Sequence, residues 1–327
     1  MKLQWMTALG MAAAAMIASG AAQAQDYPNK PVTFITPAAA GNSPDVVTRI
    51  VVEKLSQMWK QQGVVLNRPG AGGLIAAQAA AASSVEKDGY TLYMTQASTF
   101  TVLPIQQEGK MPIDLQKAFA PVGMVGEQPI AIAVNKDVPA NSVKELIELA
   151  NKNKDGMLFG ATNRGGQSHL TGELFRDKSK ANISFVHAAG AAVSLNDVIA
   201  GRIPIMFEGL AGLAPGLQGG GVRALGVAAQ KRLPNVPNLP AINETVPGVV
   251  SSGWIVLMAP AGVPDAIIQK LNADLRKVVA MPDVIERFHA LGTYSRDYTP
   301  AQTGEFMRSE EKLWWPIVRQ INKEQAK

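Results

Sequence analysis

From residue 32 onward the chain alternates short β-rich runs with amphipathic helical stretches, and this alternation constrains the fold more than any other feature. Strands are predicted over 32–36, 64–66, 91–95, 130–134, 157–160, 183–186, 203–207, 222–228 and 254–258. The first helix places Val46, Val47, Ile50, Val51, Leu55, Met58 and Trp59 on one face. Its start is marked by Ser43 as cap, Pro44 in the first helical position and Asp45 at the positive end. An alanine-rich helix runs from the glycine turn at 70–73 through Ala82. Ser142 and Glu145 form a capping box for another. Ser168 starts a further helix, and the tail is helical over 265–279, 282–291 and 300 to about 323. Between 233 and 247 lies a proline-rich, irregular connection. Alternation of this kind predicts an α/β fold of mainly parallel sheets covered on both faces. Ligands in such folds sit beyond the carboxyl ends of the strands, so the strand-to-helix loops are where function is expected.

The N-terminus predicts a compartment. Lys2 precedes an apolar stretch from Met6 to Gly20, and Ala22-Gln23-Ala24 supplies a small-x-small cleavage site. A secretory signal peptide over residues 1–24 is expected, leaving a secreted mature chain that begins at Gln25. The chain has no cysteine, which excludes thiol catalysis, cysteine-ligated metal and a lipid anchor at a cleavage-site cysteine. A secreted fold without disulfides must rest on its hydrophobic core, which about 300 residues can build, most naturally as two domains. The formal charge of +5 falls to +4 when Lys2 leaves, and the basic residues are scattered. Nucleic-acid binding is therefore not expected.

Five loops carry candidate ligand-binding residues. The loop after the first strand offers Ala38, Ala40, Gly41, Asn42, Ser43 and Asp45: small residues admit a ligand close to the backbone, and the first amides of a helix lack intrahelical partners. Asp45 opposes an anion there unless it caps the helix or is bridged by water. The loop after 157–160 offers Asn163, Gly165, Gly166, Gln167, Ser168 and His169. It resembles a phosphate loop only loosely, because Gly166 stands where the lysine should be, so a carboxylate or amide clamp is the better reading. Ser98 and Thr99 follow the third strand, Ala189 and Gly190 follow His187, and Glu208 ends an apolar run. The first two loops also have ordinary readings as capped or flexible turns, and Glu208 also reads as a cap for the next helix.

Catalytic and metal motifs are missing from the sequence. His169, His187 and His289 lack metal-ligand spacing, and no Gly-x-Ser-x-Gly, H-E-x-x-H or complete G-x-G-x-x-G pattern occurs. The paired acids Glu310-Glu311 are expected on the polar face of the tail helix.

Several stretches together carry a family resemblance. They are Tyr27-Pro28-Asn29-Lys30-Pro31-Val32, Asn67-Arg68-Pro69-Gly70-Ala71-Gly72-Gly73, Asp88-Gly89-Tyr90-Thr91-Leu92, Ser168-His169-Leu170, Val222-Arg223-Ala224-Leu225-Gly226-Val227 with Lys231-Arg232, and Gly253-Trp254 leading into Ala259-Pro260-Ala261-Gly262-Val263-Pro264. In these the chain resembles the Bug-type (Bordetella uptake) substrate-binding receptors of tripartite tricarboxylate transporters, over essentially all of residues 27–315.

The resemblance implies a two-lobe periplasmic binding protein fold of type II-like form, with a cleft that closes on ligand. One lobe would comprise 25–126 plus 256–327 and the other 127–255. Loops 38–45 and 162–169 would grip a ligand carboxylate, partly through ordered water. The implied role is non-enzymatic, cofactor-free capture by a monomer that delivers ligand to membrane permease subunits. A ligand sensor for a signalling partner is an alternative, as is a hydrolase using Ser168 with His169 or Glu208. The sequence departs from the family pattern at Ala38, where an aromatic is frequent, and at Gly41-Asn42 in place of Gly-Gly. Glu208 stands where Asp is commoner, and the loop after His187 is unusually alanine-rich.

Overall fold

A computed structural model describes residues 27–82, 86–161, 166–188 and 191–325 of the chain. The expected signal peptide therefore lies outside the described residues, as do four of the expected site residues, Asn163, Gly165, Ala189 and Gly190.

The first lobe is built on β1 (Val32–Thr36), which pairs in parallel with β2 (Gly63–Asn67) and β3 (Thr91–Gln96). Next to β3 lies β9 (Ser252–Pro260), antiparallel, and then β4 (Phe119–Asn135), antiparallel again. Residues on each strand alternate between the two sheet faces, as a period of two demands. Phe34, Leu92, Ile255 and Leu257 pack beneath α1 (Ser43–Trp59) and α10 (Asp265–Val279), joined by Val284 and Phe288 of α11 (Pro282–Ala290). Their neighbours Ile35, Tyr93, Val256 and Met258 face the other way, with Ala76, Ala77 and Ala80 of α2 (Leu74–Ala82) and Met307 of α12 (Pro300–Gln325). The three alanines give α2 a flat face that can approach the sheet closely.

The second lobe continues from the same long strand. Residues 119–129 of β4 pair with β9, whereas 130–135 pair antiparallel with β7 (Ile205–Gly209) and β8 (Val222–Val227). Beyond β7 come β5 (Met157–Ala161) and β6 (Ile183–His187), parallel to it and to each other. Ile132 and Val134 enter one core with Phe159, Phe175 and Phe207, while Ala131 and Ala133 enter a second with Leu195 and Val198 of α8 (Ala191–Ile199). The remaining helices are α3 (Ala97–Thr101), α4 (Leu103–Gln106), α5 (Leu115–Ala118), α6 (Val143–Lys152), α7 (Gln167–Ser179) and α9 (Leu210–Gln218).

The two-lobe α/β form is as expected, but the sheets are mixed rather than mainly parallel. The reason is the crossing: β4 runs out of the first lobe and β9 runs back, so the two strands shared between lobes must oppose each other. The periodicity over 130–134 reveals only the far half of β4, because Pro121, Gly123, Gly126 and Pro129 break the pattern before it. A further link between lobes is apolar. Trp314, Val318 and Ile321 of α12 pack with Val102 and Ile105 from the first lobe and with Leu170 and Leu174 of α7.

Two expectations about the helices need correction. The acids of the tail helix are not on its polar face: Glu310 accepts hydrogen bonds from the indoles of Trp254 (3.2 Å) and Trp314 (3.0 Å), and buried Glu311 accepts from Gln116 Nε2 at 2.9 Å. Their helix is covered on more than one side, by the sheet and by α7, so a one-faced pattern does not apply. At α6, Ser142 Oγ accepts from the Glu145 amide, but the Glu145 carboxylate returns to the amide of Asn141 instead of Ser142.

Candidate ligand cleft

The first-lobe wall begins at the turn after β1. The cap of α1 is Asn42, whose Oδ1 accepts from the Asp45 amide at 3.0 Å; Ser43 is the first helical residue, not the cap. Pro44 has no N–H, and the Val46 amide returns to Asn42 O. The first turn thus leaves the Ser43 amide as its unused donor, so the expected row of free amides is mostly consumed. Asp45 is withdrawn from the cleft. Its side chain is 2 % exposed and accepts from the Gly41 amide (2.8 Å), Asn67 Nδ2 (2.7 Å) and Arg49 Nε (3.0 Å). Burial by itself would raise its carboxyl, yet the bonds from Arg49, Asn67 and Gly41 outweigh burial and hold it below the ordinary carboxylate range. Ala38 is buried as well, its carbonyl accepting from Asn67 Nδ2. Ala40, Gly41 and Asn42 remain exposed at the tip of the turn, where Gly41 takes a φ of +81°.

Ser98 and Thr99 begin α3. Thr99 is buried, its hydroxyl donating to Gly72 O at 3.3 Å, and Ser98 is half-buried. Thr99 therefore fastens the glycine turn to α3, and Ser98 is the one of the two that reaches solvent.

The second-lobe wall is the start of α7. Gly166 occupies the cap position without a side chain to satisfy the helix, so the amides of Gln167 and Ser168 are not taken by a cap. Ser168 Oγ donates to Glu208 Oε2 at 3.2 Å, and the Gly209 amide donates to Glu208 Oε1 at 2.9 Å. Burial raises the Glu208 carboxyl above its ordinary range despite the bonds from Gly209 and Ser168. His169 is not in the cleft. It is 1 % exposed, packs at a tilt against Phe185 with centroids 4.1 Å apart, and turns Nε2 to Glu173 Oε1 at 3.5 Å. Consecutive helical residues point about 100° apart, so Ser168 and His169 form no dyad.

Sequence reasoning missed the residues that bring these walls together. Gln128 on β4 donates from Nε2 to Ser43 Oγ (2.6 Å) and to Thr293 Oγ1 (2.9 Å). Ser251, immediately before β9, accepts from Gln167 Nε2 at 2.8 Å. Gln128 lies opposite Gly253, and the Ile130 amide donates to Ser251 O. The two anchors are therefore two rungs apart on one antiparallel ribbon, at positions of the same parity. Each wall's helix start is tied to that ribbon. No local motif announces a lone Gln or Ser in this role; the only signal was that both lie near the expected lobe crossings.

Comparison with known proteins agrees with this architecture. Residues 47–323 match the model of the tripartite tricarboxylate transporter family receptor. This chain belongs to that family. The receptor is 34 % identical over 302 residues to a UPF0065 protein of Bordetella bronchiseptica, covering 92 % of this chain and 89 % of that one. It is 30 % identical to protein BugT of Bordetella pertussis, over 91 % of each chain. Among solved structures it is similar to R. palustris Rpa4515 with adipate, at 28 % identity and a TM-score of 0.74, covering 90 % of this receptor and 98 % of that chain. Among its described residues no group of His, Cys, Asp and Glu could hold a metal ion, and no helix is long and apolar enough to cross a membrane.

Proposed function

We propose that this receptor captures a small carboxylate between the starts of α1 and α7 and delivers it, without turnover, to the membrane permease of a tripartite tricarboxylate-type transporter. The observation that carries the reading is the pair of ribbon anchors. Gln128 holds Ser43, and Ser251 holds Gln167, so the starts of α1 and α7 are both fastened to the ribbon between the lobes. Helix starts favour anions through free N–H groups and the macrodipole, each worth about 0.3–1 kcal/mol at an exposed site. The adipate in the similar structure fits this chemistry.

The ligand-binding set is drawn from the two helix starts and their partners; Ser168 is buried but joins it through its bond to half-buried Glu208. Ala40, Gly41, Asn42 and Ser43 would act from the first lobe, with Ser98 beside them. Gly166, Gln167, Ser168 and Glu208 would act from the second. Asp45, Thr99, Ala38 and His169 support the walls from behind. Lobes of 25–126 plus 256–327 and of 127–255 suit the exchange of partners along β4, and closure would bend the ribbon near Pro129. Delivery as a monomer from the periplasm, after cleavage at Ala24, completes the proposal.

The test is a thermal-shift and calorimetric screen of residues 25–327 against aliphatic, aromatic and amino-acid carboxylates. A ligand at a hundred times its dissociation constant should add about 2.7 kcal/mol of stability, bind one to one and be recovered unchanged. Absence of stabilisation by every carboxylate would overturn the reading.

A further inference from the structure

The second-lobe wall has an excess of hydrogen-bond acceptors that a bare carboxylate cannot satisfy. The orientation of its groups is fixed by one chain of hydrogen bonds. Thr171 Oγ1 donates to Gln167 O at 2.7 Å, so Thr171 must accept in its 2.6 Å contact with Ser251. The Ser251 proton is thereby used, and Ser251 accepts from the Gln167 amide nitrogen. Among the described residues, Gln167 Oε1 is left as a buried oxygen with no donor. Next to it in sequence, Ser168 spends its proton on Glu208 and can offer only lone pairs. Glu208 receives the Ser168 hydroxyl and the Gly209 amide, and no Lys, Arg or His among the described residues pairs with it.

Ser168 also sits in the first turn of α7, where its amide and that of Gln167 are not capped by Gly166 and meet no acceptor among the described residues. The donors for an anion and the acceptors around Glu208 are thus joined through a single residue. A carboxylate bound at those amides would share Ser168 with Glu208, and two carboxylates brought close together repel unless a donor comes between them.

Building on the carboxylate reading above, we propose that the ligand carries an ammonium or hydroxyl group on the carbon next to its carboxylate. The carboxylate meets the amides at the start of α7, and the neighbouring donor meets the Ser168–Glu208 corner. Glu208 then determines specificity for 2-amino and 2-hydroxy acids over plain acids of the same length.

The experiment is calorimetry of residues 25–327 with two matched series: propionate, lactate and alanine, and succinate, malate and aspartate. Within at least one series the substituted acids should bind about tenfold to a hundredfold more tightly than the plain acid, the range of one charge-assisted hydrogen bond. Glu208→Gln, with its fold checked by melting, should abolish the preference for the ammonium-bearing member. Plain acids that bind as tightly as their substituted partners would overturn this proposal and leave the carboxylate reading standing. A variant E208Q that keeps the full preference would remove Glu208 from it. Failure of every acid in a wide panel would sink the carboxylate reading, and this proposal with it.

Discussion

Gln128 Nε2 lies 2.6 Å from Ser43 Oγ and donates to it, joining the ribbon between the lobes to the first residue of α1. Because the hydroxyl oxygen is an acceptor in that bond, its proton is free to donate toward a ligand. The same amide reaches Thr293, so one side chain ties together β4, α1 and the turn after α11.

Gln128→Ala should therefore weaken ligand affinity by about tenfold, because Ser43 loses its fixed orientation, while costing roughly 1 kcal/mol of stability. Isothermal titration beside a melting curve separates the two effects. Unchanged affinity would mean that Ser43 does not face the ligand.

Asn42 acts as a helix cap, and its loss should read as a stability change. Asn42→Ala should cost about 1 kcal/mol in urea unfolding, and Asn42→Ser should recover most of it. Equal stability of the two variants would contradict the bond from the Asp45 amide.

Gly172 lets α7 approach β5. A Cβ at this position would overlap the ring of Phe159 at Cε2, closer than any real contact allows. In a free helix Gly→Ala gains up to about 1 kcal/mol. Here overpacking of about 1–3 kcal/mol should win, giving a net loss for Gly172→Ala. Phe159→Leu in the same chain should relieve part of it, measured by the shift in denaturation midpoint.

Glu310 gives the protein a pH dependence. Burial pushes its carboxyl up to about 7, against bonds from Trp314 and Trp254 and with help from the nearby charge of Glu127. An acid whose folded pKa is raised binds its proton more tightly when folded, so stability falls as pH rises from about 4.5 to 7. Glu310→Gln keeps an acceptor for the indoles and removes the charge. Its melting temperature should exceed that of the parent at pH 8 and match it at pH 4. A variant less stable than the parent at pH 8 would show that the charged form is the favoured one.

Much of the fold was legible because its signals are local. Phe34, Leu92 and their alternating neighbours read as strands, and α10 over Asp265–Val279 was bounded correctly from its apolar period and acidic start. The loops that form the walls were legible too, since glycine, hydroxyl and amide residues beyond a strand mark where a helix begins. Their individual roles were not. Asp45 and His169 carry the right chemistry for a site, but packing turned one onto Gly41, Asn67 and Arg49 and the other onto Phe185 and Glu173.

By itself the sequence determined the order of strands and helices and the segments from which a cleft could be built, because period and turn chemistry depend on neighbours along the chain. The tertiary structure alone decided that Gln128 meets Ser43, 85 residues away, and that Gln167 meets Ser251, 84 residues away. Those contacts depend on the register of β4 against β9, and register is set by long-range pairing that no window of the sequence contains.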